Sequence, residues 1–219
     1  RGGHAHEHPV PVEEFRLRVR QADQPQNTVK EKGEEQQQQS RMGKTALVIL
    51  AEGFEEIEAA TPIDILRRAD VDVCVAGLTG LAVKGRSNIS MQADALLEDA
   101  KAKDYDCLVL PGGPGTKLVR EDPRVIEMVK AYSAAGKKVC AICAAPTVLK
   151  EAGVLPKRYT AHHSVKDALP DILPDRCVVE GNFITSTGAG TSVEFGLGIV
   201  GELCDKDTAD KISKAISFT

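Results

Sequence analysis

Short, unbroken apolar runs recur along the chain from residue 44 onward, and they constrain the fold more than any other feature. Such runs occupy Lys44–Ala51, Val71–Ala76, Tyr105–Leu110 and Lys137–Ile142, and helical patterns separate them. A strand that is apolar on both faces belongs in a sheet covered on both sides, as in parallel α/β proteins. The sequence therefore predicts an α/β fold with a mostly parallel sheet and helices on both of its faces.

Several segments between these runs carry more specific predictions. Pro62 falls inside the helical pattern of Glu55–Ala69, so we expect either a kink there or a later true start of the helix. Leu81–Met91 is short and punctuated by glycine, which is typical of a small hairpin at a sheet edge. We interpret Arg158–His163 as a short strand.

The first 41 residues differ in composition from the rest of the chain. They run from a histidine-rich start to Gln37-Gln38-Gln39 and contain few large apolar side chains. Such a segment cannot bury enough apolar surface to offset the entropy lost on ordering. We predict a flexible extension over residues 1–41 and a folded domain over residues 42–219. The histidines could bind a metal weakly, but a solvated tail is the favoured interpretation.

Composition and charge exclude several classes of function. The net charge is -4, and the later part of the chain has no clustered basic stripe, so nothing indicates specific nucleic-acid binding. No apolar run approaches the roughly 20 residues of a membrane span. The glycine-rich turns match neither the dinucleotide nor the phosphate-loop pattern, so we predict no cofactor.

The cysteines indicate the compartment. Cys74, Cys107 and Cys140 each lie within an apolar run, as expected of buried small hydrophobic residues rather than disulfide partners. We therefore predict a reducing environment and a cytoplasmic location, with mitochondrial or nuclear pools left open.

Cys143 stands where an apolar strand ends and a helical pattern begins. A sharp strand-to-helix turn presents a side chain above a parallel sheet and directs helix amides at it. A thiol in that place is favoured as the thiolate by the amides and by the helix dipole. The alternative is a buried structural cysteine, and the local pattern leaves both interpretations open.

Further candidate groups follow other strands of the predicted sheet. Ligand crevices in open α/β sheets lie beyond the carboxyl ends of the strands. A thiol, a carboxyl group and backbone amides at one edge would suit attack on a carbonyl carbon. The alternative is that the glycines only close turns and the glutamates only begin a helix. The converging segments are Glu52–Glu58, Gly112-Gly113, Cys143-Ala144 and Thr187–Gly190, with His162 as a further candidate.

Cys140 and Cys143 have the spacing of a dithiol redox motif. Three residues of strand separate their Cα atoms by about 10 Å, whereas a disulfide tolerates about 7 Å at most. We therefore predict no bond between them.

Four segments of the chain carry a family resemblance. They read ALVILAEGFEEIEA, VLPGGPG, AICAAPTVL and ITSTGAGTSVEFGL, in that order. Together they resemble the DJ-one branch of the ThiJ/PfpI superfamily, from about Gly43 to the C-terminus. The resemblance implies a flavodoxin-like three-layer sandwich, a homodimer, and no need for a metal or cofactor.

The resemblance also implies roles for individual residues. The family's reactive cysteine falls on Cys143, its partner glutamic acid on Glu58 and its pocket histidine on His162. The implied activity converts methylglyoxal or glyoxal to the hydroxy acid and removes their early adducts from protein and nucleotides. The implied alternative is an oxidative-stress sensor or redox-regulated chaperone that works through oxidation of the same cysteine. The oxyanion-stabilising and substrate-binding amides would be those of Gly112, Gly113 and Ala144.

Two expectations about the polarity of this site follow. Glu58 cannot remain charged beside a thiolate without a like-charge cost, so we expect its pKa to rise and its protonated form to donate a hydrogen bond to the sulfur. Thr187 and Ala189 stand where many relatives carry arginine and proline, which leaves the polarity of the pocket open.

Overall fold

The apolar runs form the strands of one sheet in the computed structural model, which describes residues 43–101 and 103–218. The predictions made for residues 1–41 lie outside this part of the chain. The strands are β1 (Thr45–Leu50), β2 (Asp72–Gly77), β3 (Ala82–Lys84), β4 (Ser90–Gln92), β5 (Ala95–Leu96), β6 (Cys107–Leu110), β7 (Lys138–Ile142), β8 (Cys177–Glu180) and β9 (Phe183–Ser186).

The central sheet is mostly parallel, as the sequence predicts. Its order is β5-β2-β1-β6-β7-β9-β8, and only the pairing of β8 with β9 is antiparallel. The strands β3 and β4 form a separate antiparallel hairpin. The hairpin prediction for Leu81–Met91 is therefore confirmed, although this hairpin is not part of the central sheet.

Helices cover both faces of the sheet. Along β1, Ala46, Val48 and Leu50 belong to one buried cluster, and Leu47 and Ile49 belong to another on the opposite face. This alternation follows from the period of two in a strand and produces the predicted three-layer, flavodoxin-like sandwich. The helices are α1 (Glu56–Arg68), α2 (Leu97–Ala100), α3 (Thr116–Glu121), α4 (Pro123–Ala134), α5 (Pro146–Glu151), α6 (Ser192–Leu203) and α7 (Lys206–Ala215), with 3-10 turns at His163–Val165 and Ala189–Thr191.

The helix α1 begins before Pro62, so the predicted later start is wrong. Its N-cap is Glu55, whose side chain accepts the N–H of Glu58 at 2.8 Å. Ala59 and Ile63 are buried on the side that packs on the sheet. The cap and this packing stabilise the first turn of the helix. Pro62 removes only one backbone hydrogen bond, so the helix continues through it.

Arg158–His163 does not form the predicted strand. The N–H of Thr160 donates to the Thr185 side-chain hydroxyl at 3.0 Å, and the N–H of His162 donates to the Cys143 carbonyl at 2.9 Å. A strand requires a continuous ladder of backbone pairs with one neighbour. This segment instead connects to separate elements through single bonds.

Within the residues that the structure describes, no helix has both the length and the apolar character needed to cross a membrane.

The helices α1 and α6 approach closely at Gly196. A Cβ atom placed on Gly196 would lie 2.8 Å from Cδ1 and 3.2 Å from Cβ of Ile65. Two residues further along α6, a Cβ atom on Gly198 would lie 3.5 Å from the Cys177 sulfur, which is an ordinary contact. Gly196 is therefore required by packing, whereas Gly198 is not.

Alanine substitution should separate these two glycines. Both changes gain about 1 kcal/mol of helix propensity, but Gly196→Ala also overpacks the contact with Ile65, which costs about 1–3 kcal/mol. We expect Gly198→Ala to exceed Gly196→Ala in free energy of unfolding by about 1–3 kcal/mol. Urea unfolding of both variants measures this difference, and equal values would contradict the packing constraint.

Candidate active site

Cys143 lies on a sharp turn between β7 and α5, as predicted. Its φ is 65°, in the left-handed region that residues other than glycine rarely adopt. The N–H of Cys143 donates to the Ser186 carbonyl at 2.9 Å, and its carbonyl accepts the N–H of His162 at 2.9 Å. These bonds hold the strained backbone in place, and backbone strain of this kind is concentrated at functional sites.

Glu58 reaches this turn from the first helix. Its side chain is buried, with 1% of the residue exposed, and Oε2 accepts the N–H of Gly112 at 2.9 Å. A Cβ atom on Gly112 would lie 2.5 Å from Glu58 Oε2 and 2.7 Å from Cys143 Cβ. Gly112 therefore lets the carboxyl group and the thiol come together.

The three predicted amides have different surroundings. The N–H of Gly112 donates to Glu58 Oε2, so it positions the carboxyl group. The N–H groups of Gly113 and Ala144 lie near the Cys143 sulfur and lower the pKa of its thiol. Their role in stabilising an oxyanion stays a prediction.

Burial raises the cost of charging both groups, and the charge of Glu58 adds to this cost at Cys143. Burial raises the pKa of Glu58 to about 7, with the Glu55 charge adding to the rise and the hydrogen bonds from Cys143, Gly112 and Ala189 opposing it. Burial, followed by the charge of Glu58 and a hydrogen bond with its carboxylate, raises the pKa of Cys143 to about 12. The expected rise for Glu58 is confirmed.

The Glu58–Cys143 pair consequently carries at most one negative charge at neutral pH rather than two. Two of the causes that raise the Cys143 pKa come from the charged form of Glu58, so protonation of Glu58 removes them. The thiolate expected from the sequence is therefore not favoured while Glu58 is charged, because burial and the carboxylate outweigh the amides that lower the Cys143 pKa.

His162 lies at the rim of the site. Its Nδ1 accepts the N–H of Ser164 at 3.2 Å and lies 2.8 Å from the Ser164 hydroxyl oxygen, so the neutral ring carries its proton on Nε2. Burial lowers the His162 pKa, and the nearby charges of His163 and Arg86 lower it further. The ring is therefore neutral at pH 7.

A cavity of about 390 Å³ opens over the thiol, and we call it the inner compartment. Glu55, which belongs to the segment predicted to converge here, lines one wall, and Arg86, which the sequence did not reveal, lines another. The residues that line it are Glu55, Glu58, Arg86, Gly113, Pro114, Cys143, Ala144, His162, Ser164 and Ala189.

Arg86 comes from the turn between β3 and β4. Its N–H donates to the Phe54 carbonyl at 2.9 Å, and the next N–H, that of Ser87, donates to Glu56 Oε1 at 2.6 Å. These bonds attach the turn to the start of α1. An arginine in a polar turn carries no local signal of function, so only the tertiary structure identifies it. Arg86 therefore supplies the pocket with a positive charge. Thr187, which stands where many relatives carry arginine, supplies none.

The described residues contain no group of three or more histidine, cysteine, aspartate or glutamate side chains arranged to hold a metal ion. All six cysteines are free, including Cys140 and Cys143, so the predicted absence of a bond between these two is confirmed. Cys140 is instead fully buried, and its sulfur lies 3.5 Å from that of Cys107 on the adjacent strand.

The fold and the site together define an α/β sandwich protein with a thiol on a strained strand-to-helix turn and a buried carboxyl partner. Residues 44–202 match the model of the DJ-1/PfpI family. The chain belongs to this family.

Individual relatives agree with this assignment. Protein dj-1beta of Drosophila melanogaster is 40% identical over 182 residues, which cover 80% of this chain and 97% of the relative. Glutathione-independent glyoxalase DJR-1.2 of Caenorhabditis elegans is 36% identical over 178 residues, covering 79% and 96%. The crystal structure of Drosophila melanogaster DJ-1beta superimposes with a TM-score of 0.79 at 38% identity, covering 81% of this chain and all of that one (100%).

The raised pKa of Glu58 should make stability depend on pH. Because its pKa rises from 4.5 to about 7 on folding, the native state binds more protons between these values. We expect the stabilising protonation to be complete below pH 4.5 and to be lost as the pH rises through 7, at a cost of about 3 kcal/mol.

Substitution of Glu58 by glutamine tests this expectation. Glu58→Gln should remove the loss of unfolding free energy between pH 5 and pH 8, whereas Glu127→Gln, on the exposed surface of α4, should leave it in place. Denaturant unfolding at a series of pH values measures the slope. A slope unchanged in Glu58→Gln would show that another group titrates.

Proposed function

We propose that the protein is a cofactor-independent glyoxalase and deglycase that acts on methylglyoxal, glyoxal and their early adducts. The Glu58–Cys143 pair carries this proposal, because a carboxyl group with a pKa of about 7 beside a thiol can move protons at physiological pH. The name of the Caenorhabditis elegans relative, Glutathione-independent glyoxalase DJR-1.2, supports it.

The first step is attack by the sulfur on the aldehyde carbon. A carbon–sulfur bond forms, the carbonyl electron pair moves to oxygen, and Glu58 supplies the proton that makes the hemithioacetal. The N–H groups of Gly113 and Ala144, which lie at the sulfur, are close enough to stabilise the developing oxyanion.

The second stage moves a proton between the two carbons of the dicarbonyl. Glu58, now a carboxylate, removes the hydrogen of the carbon that carries sulfur and returns it to the neighbouring carbon. The proton of the hemithioacetal hydroxyl moves to the oxygen of that neighbouring carbon, and the product is a thioester with a hydroxyl group beside it. Water then hydrolyses the thioester and releases the hydroxy acid and the thiol. The sum is one dicarbonyl plus one water giving one hydroxy acid, so no redox cofactor is required.

Early adducts enter the same sequence. In an adduct, an amine or thiol of the carrier is already attached to the aldehyde carbon. When the Cys143 sulfur forms its bond to this carbon, the carrier leaves with a proton that the protonated Glu58 supplies, and the neutral His162 ring at the rim donates a hydrogen bond from its Nε2–H.

Lactate formation from methylglyoxal tests the proposed activity. We expect the wild-type protein to produce lactate, Cys143→Ala to lose all of this activity, and Glu58→Gln to lose about 10²–10⁴-fold through lost proton transfer. Cys177→Ala, which removes a free thiol on β8 outside the cavity, should retain turnover. Wild-type turnover by Cys143→Ala would overturn the mechanism.

A second candidate function is that of an oxidative-stress sensor or redox-regulated chaperone acting through the same sulfur. Cys143 is partly exposed and lines the cavity, whereas Cys107 and Cys140 are fully buried. An oxidant therefore reaches Cys143 while those two thiols stay protected, and oxidation proceeds through the sulfenic to the sulfinic acid.

Mass spectrometry after mild peroxide treatment distinguishes this candidate. We expect two oxygen atoms to be added at Cys143 before any are added at Cys107 or Cys140, because Cys143 is the accessible one of these three. Selective oxidation of Cys143 in a protein that does not turn over dicarbonyls would favour the sensor function over the enzyme. Equal oxidation of the three cysteines would exclude the sensor function.

We also propose that the protein is a homodimer in the cytoplasm. Ile57 at the start of α1 is 54% exposed, and Ile89 beside β4 is 59% exposed. A second copy of the chain would cover these two side chains. Sedimentation velocity measures the oligomeric state, and cell fractionation measures the location, including any mitochondrial or nuclear pool.

A further inference from the structure

A second cavity adjoins the inner compartment on the side away from Glu58. It has a volume of about 300 Å³, and we call it the outer compartment. Both compartments are lined by Gly113, Pro114, Ala144 and Ser164, so they are neighbours. We call the two compartments together the cleft and these four shared residues its waist. The remaining residues of the outer compartment are Thr116, Lys117, Arg120, Thr147, Val165, Asp167 and Ala168.

The outer compartment has an excess of positive charge. Lys117 and Arg120 contribute two cations, against the single carboxylate of Asp167. The nearest carboxylate to Lys117 is Glu121 at 4.0 Å, and both side chains are largely exposed, so this pair is weak. Arg120 forms no ion pair within the described residues. An anion entering here would find cations that are not already neutralised.

The size of the cleft also exceeds the need of a free dicarbonyl. Methylglyoxal has only a few non-hydrogen atoms, whereas the inner compartment alone has a volume of about 390 Å³. Cavities of about 300–1,000 Å³ normally hold much larger ligands. The outer compartment therefore has room for the carrier part of an adduct whose reacting carbon lies at Cys143.

We propose that the outer compartment binds an anionic group, phosphate or carboxylate, on the carrier of an early dicarbonyl adduct. Lys117 and Arg120 attract the anion, and the waist of the cleft positions the reacting carbon over the sulfur. This proposal rests on the proposed function and deepens it, because it makes anionic adducts better substrates than neutral adducts of the same shape.

Two pairs of substrates that differ only in charge test the proposal. The carboxylate pair consists of the methylglyoxal hemithioacetals of N-acetylcysteine and of N-acetylcysteine amide. The phosphate pair consists of the methylglyoxal adducts of guanosine 5′-monophosphate and of guanosine. Turnover of free methylglyoxal, measured for every variant, corrects for dicarbonyl released from the adducts.

We expect kcat/KM of the wild-type protein to favour the charged member of at least one pair by about threefold to tenfold, the effect of two exposed ion pairs. The double variant Lys117→Glu with Arg120→Glu should abolish or reverse this preference. Lys130→Glu, an equal charge change on the exposed surface of α4, should preserve it. If only the phosphate pair shows this preference and loses it in the double variant, the ligand is phosphate; if only the carboxylate pair does so, the ligand is carboxylate.

Equal values for the charged and neutral members of both pairs, or a preference that survives in the double variant, would overturn the proposal. A second measurement, which needs no turnover, distinguishes failure of this proposal from failure of the proposed enzymatic function. Guanosine 5′-monophosphate should slow the alkylation of Cys143 by iodoacetamide more than guanosine does, and only with Lys117 and Arg120 intact. Equal protection by the two compounds, in a protein that turns over neither pair, would likewise exclude an anion site.

Discussion

The site depends on one buried contact, that between the Glu58 carboxyl group and the Cys143 thiol. Two negative charges side by side away from water are costly, so the two groups together hold at least one proton and at most one charge at neutral pH. Gly112 makes the contact possible, because any side chain there would collide with both groups. The same lack of a side chain places the Gly112 N–H against the carboxyl oxygen and holds it in place.

The order of the strands brings these groups together from distant parts of the chain. In the sheet, β1, β6, β7 and β9 are neighbours, and the segments that follow their carboxyl ends supply Glu58, Gly112, Cys143 and Ala189. Parallel strands direct all of these segments to the same edge. The hairpin β3–β4 is attached to the start of α1 and adds Arg86 to this edge. Sheet topology thus assembles a site that no local segment contains.

Neighbouring cysteines show how strongly position decides chemistry. Cys140 lies within β7, is fully buried and contacts the sulfur of Cys107. Cys143, which follows the last residue of the strand, adopts a left-handed backbone and lines the cleft. Burial raises the pKa of both thiols, but only the second of these two cysteines borders the cleft, with the amides of Gly113 and Ala144 beside its sulfur.

The sequence by itself determined the α/β class, the parallel strands and the turn at Cys143, because unbroken apolar runs and their glycine-rich ends are local patterns. It could not determine that α1 begins before Pro62 or that Arg158–His163 is irregular, since capping and packing at those places override local preference. It also could not assign the Gly112 N–H to Glu58 or bring Arg86 to the pocket. These contacts join residues far apart in the chain, and only the tertiary structure decides which donor meets which acceptor.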